Sequence, residues 1–211
     1  GSLIDRPSLL MTAGSLVKRE AGALGAVELA ASHVVMQIRL LLSRGQDGFA
    51  HATDALAGAA WGDGRAGKFR RWVKLTGIWA ALASIIYALL FLIGGDGITA
   101  ILTDIPAVRA SVDLLMPLVV ALPVIAVACY QFDGVYIAAT AGAAMMVTMA
   151  IAFAIYILVL EPLTTRWGLL GLWAAILIFM AARGIAQAAW YPRLEAQLNG
   201  RSTGKGAQGN L

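Results

Sequence analysis

The stretch LLMPLVVALPVIAVACYQFDGVYIAATAGAAMMVTMAIAFAIYILVL, residues 114–160, carries one charged side chain, Asp133. A transmembrane helix needs about 20 apolar residues at 1.5 Å rise each, and the runs 114–132 and 134–160 on either side of Asp133 meet or approach that length. An ionised carboxylate at bilayer depth costs on the order of several kcal/mol, so an acid there implies a partner, a proton or a function.

Outward from this stretch the chain stays apolar. It is 60% hydrophobic and 13% charged, and its mean hydropathy is +0.78, well outside the soluble range. The pattern predicts an all-α polytopic membrane protein, a six-helix bundle over 1–195. Its spans fall at roughly 5–23, 28–60, 70–94, 109–135, 138–161 and 167–191, with a disordered polar tail at 196–211. Residues 94–108 read as a short interfacial segment between two acidic turns, and Pro162 as the stop before the last external turn. Pro117 and Pro123 fall inside the fourth span, where each removes a backbone donor and favours a kink.

Basic residues set the expected orientation. Arg65, Lys68, Arg70, Arg71 and Lys74 follow the second span, Arg6 precedes the first, and Arg193, Arg201 and Lys205 end the chain. Short loops rich in Lys and Arg stay cytoplasmic, which puts both termini on that side of a cell (inner) membrane. The net charge of +4 is accounted for by an anionic leaflet and needs no nucleic acid. Trp61, Trp72, Trp167 and Trp190 lie where interfacial anchors belong, and Lys18 and Arg19 are expected to reach the interface by snorkelling. Cys129, the one cysteine, has no partner for an intramolecular disulfide and reads as a packing residue.

Two groups of polar residues invite a functional reading. On a helix, Cys129, Asp133, Tyr136 and Thr140 share a face flanked by Tyr130 and Gln131, so Tyr136 could donate to an ionised Asp133 or accept from a protonated one. In the second span Arg39, Ser43, Asp47, His51 and Asp54 recur at steps of four, four, four and three along one stripe, which lipid would not tolerate. Asp133, Asp47 and Tyr136 are therefore candidates for proton or cation coupling, and Arg39, Ser43, Gln131, Tyr130 and Thr140 for a substrate cavity. Asp47, His51 and Asp54 at i, i+4 and i+7 leave open an intramembrane metalloenzyme, though no second ligand cluster completes such a site. A non-catalytic membrane assembly module is a further alternative.

Several motifs in order, DGFA at 47–50, DALAG at 54–58 and GDGRAGKFRR at 62–71, resemble a signature of the multidrug and toxic compound extrusion (MATE) transporters, in their DinF-like branch. LGAVELAASH at 24–33, LTDIPAVR at 102–109, YQFDGVYIAAT at 130–140 and AARG at 181–184 extend the likeness. It covers the C-terminal six-helix lobe of a family that usually has two lobes. The resemblance implies a secondary antiporter rather than an enzyme, without a cofactor, exporting drugs or other small amphipathic compounds from the bilayer region together with an N-terminal six-helix lobe. Asp133 occupies the place of the family's coupling carboxylate. The acid that Na⁺-coupled members carry in the first helix would fall near Met11 or Thr12 here, so the resemblance implies H⁺ rather than Na⁺. Lys18, Arg19, Arg39 and Arg44 depart from the family pattern by adding positive charge, which disfavours cationic substrates locally.

Overall fold

The computed structural model describes residues 6–208, with side chains from 11 to 200. Lipid offers no partner to a free backbone N–H or C=O, so apolar runs must close their hydrogen bonds internally as helices. Among the described residues every regular element is a helix. They are α1 (Arg6–Leu24), α2 (Ala26–Gly62), α3 (Ala66–Leu102), α4 (Pro106–Ala138) and α5 (Gly142–Gln208). Four of them, α2, α3, α4 and α5 over Gly142–Gly200, are long and apolar enough to cross a membrane. α1, which carries Lys18, Arg19 and Glu20, falls short of that composition.

α5 is two helices in series. Gly168 has non-helical angles (φ 53, ψ −127), a conformation open to glycine because it lacks a Cβ. The chain folds back there: Gly171 has no room for a side chain against the Leu163 carbonyl, and the Tyr156 and Phe179 rings meet at 5.7 Å between centroids. A first arm (142–167) and a second arm (169–208) thus give the protein its fifth and sixth helices.

Three connections differ from the sequence expectation. The helix continues through Pro162, because one missing donor is tolerable in a helix whereas reversal requires the positive φ found at Gly168. Residues 94–102 continue α3 as helix, with no turn setting them off at 94–97. Their buried face closes on α4, with Met116 against Gly95 and Thr99 Oγ1 donating to the Gly95 carbonyl at 3.0 Å. Only 103–105 then link α3 to α4, secured by Arg109, which donates to the Thr103 carbonyl at 2.8 Å and to Asp104 at 3.3 Å. The polar tail expected from 196 continues the second arm as helix to Gln208. Leu194 and Leu198, both buried, hold its start against the bundle. Residues 209–211 of that predicted tail lie outside the described residues.

α4 is the central helix, in contact with α2, α3 and α5, while α1 lies on α2 and α5. The interior holds two apolar clusters. The larger joins Val35, Ile38, Val112, Leu115, Val119, Leu122, Met149, Tyr156 and Trp173. The smaller, toward the α2–α3 turn, joins Ala57, Trp61, Phe69, Val135, Tyr136, Leu194 and Leu198. Trp61 is therefore a core residue, 5.3 Å from the Phe69 ring centroid, rather than the interfacial anchor expected. Trp190 instead lies half-buried beneath the Arg193 guanidinium at 4.7 Å. Outward apolar residues of α3, including Ile78, Ile85, Ile86, Leu89 and Ile93, remain exposed, as a lipid-facing surface should.

Between the two clusters runs a polar layer. Gln46 Nε2 donates to Ser84 Oγ and to the Pro123 carbonyl, both at 2.9 Å, linking α2, α3 and α4. Next to it, Thr53 Oγ1 donates to Thr76 Oγ1 at 2.9 Å, and Gln131 Nε2 donates to Thr76 Oγ1 at 2.8 Å. Buried polar groups in an apolar interior must be satisfied in this way.

Candidate functional site

Asp133 lies in the same layer, 2% exposed. Two small residues let its partners approach. Gly134 brings α4 against the α2 backbone at Ala50, and Gly184 brings the second arm of α5 against Ala128 and Cys129. The arm then presents Arg183 and Gln187, four residues apart and so on one helical face. Arg183 Nη2 donates to Asp133 Oδ2 in a buried ion pair. Gln187 Nε2 donates to Asp133 Oδ1 at 3.0 Å. Arg183 and Gln187 are themselves buried, so the opposite helix supplies the acid with a cation and a second donor.

Beside the pair lies a cavity of about 240 Å³ between α1, α2, α4 and both arms of α5. Arg39, Ser43, Asp47 and Tyr130 line it, joined by Tyr156 and by Arg183. Tyr130 lies beside Ser43 and within electrostatic reach of Arg39 and Asp47. Arg183 thus connects two features: one side of its guanidinium holds Asp133, and the residue also borders the cavity.

Three of the residues singled out from sequence take other places. Tyr136 donates to the Gln187 backbone carbonyl at 2.8 Å instead of to Asp133, so it supports the helix that carries the partner. Gln131 belongs to the Thr53–Thr76 cluster and also donates to the Val73 carbonyl at 3.4 Å. Thr140 is exposed in the α4–α5 turn with φ 52, beyond the end of the helix whose periodicity put it on the Asp133 face. His51 is exposed and Asp54 half-buried, and among the described residues no three His, Cys, Asp or Glu side chains gather where they could hold a metal.

Replacing Gln131 by Leu should consequently act on stability and not on the cavity. Losing its bonds to Thr53, Thr76 and Val73 is expected to cost about 1–3 kcal/mol. Thermal unfolding in detergent should report that loss, with ligand affinity at the cavity unchanged.

Arg183 and Gln187 lie outside the candidates that spacing in the sequence identifies. Arg183 near the end of an apolar span looks like a snorkelling cation. The available signal was the i, i+4 pairing with Gln187 in the run AARGIAQ, two hydrogen-bonding side chains on one face at the depth of a lone acid.

A family model described as MatE matches residues 9–163. DNA damage-inducible protein F of Escherichia coli (strain K12) is 33% identical over 177 residues, covering 81% of this chain and 37% of that protein. The crystal structure of the eukaryotic MATE transporter AtDTX14 superposes with a TM-score of 0.75 at 14% identity, over 83% of this chain and 41% of that one. At that identity the likeness concerns the fold alone. The chain spans well under half the length of either relative.

Proposed function

We propose that this chain, which belongs to the MatE family, is one membrane lobe of a proton-coupled exporter of drugs or other small amphipathic compounds. The buried Asp133–Arg183 pair at the edge of a cavity is the observation that carries this reading. A proton placed on Asp133 removes the charge that holds Arg183 and leaves a guanidinium beside the substrate space. The lobe then has two electrostatic states, and a ligand that prefers one of them shifts the balance between them. Gln187 suits both. Its Nε2 donates to the carboxylate, and its Oε1, without a partner among the described residues, is available to accept from the protonated acid.

The same surroundings favour H⁺ over Na⁺. Arg183 and Gln187 both donate to Asp133, and Arg183 is cationic; a guanidinium that close repels a sodium ion. An N-terminal six-helix lobe would complete the cavity. The basic turn after α2 supports an inner-membrane orientation with both termini cytoplasmic.

Reconstitution of the full-length protein in lipid vesicles tests the reading. An imposed pH gradient should drive a fluorescent amphipathic compound against its own gradient, and a protonophore should abolish that movement. Accumulation that ignores the protonophore would remove the coupling proposal.

A further inference from the structure

We propose that the cavity beside the ion pair seats the head group of an amphipathic carboxylate, held by Arg39, Arg183 and Tyr156. This names a substrate class for the exporter reading and rests on it. The polar atoms left over around the cavity are donors. Tyr156, 1% exposed, has no hydrogen-bond partner for its hydroxyl among the described residues, and neither has Arg183 Nε. Arg39 is half-buried, and among the described residues its guanidinium donates only to the Met36 thioether, with Nε and Nη2 each 3.4 Å from Sδ. Sulfur is a weak acceptor. Three donors, two of them cationic, are thus poorly matched inside the protein.

A carboxylate supplies what they lack: negative charge and two oxygens with paired acceptor geometry, the counterpart of a guanidinium fork. The other lining residues fix where it sits. Asp47 borders the same cavity and has contacts of its own. It lies two helical turns from Arg39, about 12 Å along α2, with Ser43 between them. Repulsion from Asp47 therefore confines the anion to the Arg39 end. Phe179, Met180 and Ile176 line the same cavity and offer an apolar wall to the rest of the molecule. A volume near 240 Å³ is small for a whole drug-sized ligand, which suits a head-group subsite.

The test uses three dansyl probes alike except for their end group, a carboxylate, a carboxamide and an amine, bound to the full-length protein in detergent. The carboxylate should bind at least about tenfold more tightly than the carboxamide, as expected for a charge-assisted pair. Arg39→Gln should bring that ratio near one, and Arg39→Lys should restore part of it. Tyr156→Phe removes one unmatched hydroxyl from the core with little risk to folding, and should weaken the carboxylate alone by about threefold. Amine affinity equal to or above that of the carboxylate, or a ratio unmoved in both Arg39→Gln and Tyr156→Phe, would overturn the assignment. Transport of the same probes by reconstituted vesicles is scored separately. If a pH gradient moves none of them, the exporter reading fails, whatever the binding ratios are.

Discussion

Asp133→Asn in the full-length protein is expected to reduce proton-driven export to the level of protein-free vesicles. The replacement keeps the size of the side chain and its ability to accept from Gln187, but it removes both the titrating group and the countercharge of Arg183. A buried guanidinium left without its acid costs about 3–5 kcal/mol, so thermal stability in detergent should fall as well. Two effects from one substitution need separating. The double variant Asp133→Asn with Arg183→Gln removes the stranded charge and should recover most of the stability, while export stays at background. Export that survives in Asp133→Asn under a pH gradient would end the coupling assignment, and export recovered by the double variant would mean that the pair serves the fold alone.

Gly134→Val should have a comparably large effect, on folding instead of on coupling. A Cβ at this position would meet the carbonyl oxygen, Cα (2.9 Å) and carbonyl carbon (3.0 Å) of Ala50. These are backbone atoms and cannot rotate away. α2 and α4 would have to separate where they cross, disturbing Asp133 on one side of the contact and the Thr53–Gln131 cluster on the other. Overpacking of a tight interior typically costs about 1–3 kcal/mol, and a helix crossing without flexible side chains should lie at the upper end. The yield of monodisperse protein on size exclusion, and its melting temperature, should both fall. A Gly134→Val protein with wild-type behaviour would show that the crossing is looser than described.

α2, α3, α4 and the two arms of α5 are legible because each is long and apolar, and Asp133 is legible because a lone charge stands out in residues 114–160. Its surroundings were harder to read. Helical spacing put Tyr136 and Thr140 on the face of Asp133, but α4 stops at Ala138, so the rule had no helix to act on at Thr140. At Tyr136 the helix persists, and a backbone carbonyl from the second arm of α5 takes the hydroxyl. Arg183 does not stand out in the sequence because a cation near the end of a span has an ordinary explanation. Only the fold-back at Gly168 brings it to the depth of Asp133, and the sequence points to Pro162 as the more obvious place for a break. In contrast, Arg39, Ser43, Asp47 and Tyr130 gather around one cavity, and three of them follow a single helix's periodicity, which the sequence displays directly.

The polar layer that carries Asp133, Gln131 and Gln46 also divides the lobe mechanically. Among the described residues the two clusters share no buried apolar side chain; small residues such as Ala50 and Ala80 and a set of directional bonds fill the layer between them. Apolar contact degrades gradually as surfaces slide, whereas a hydrogen bond or ion pair is either made or lost over a displacement of less than about 1 Å. The polar layer is therefore the part of the lobe most sensitive to a small displacement. Neutralising one carboxylate in that layer changes how stiffly the two clusters are tied together.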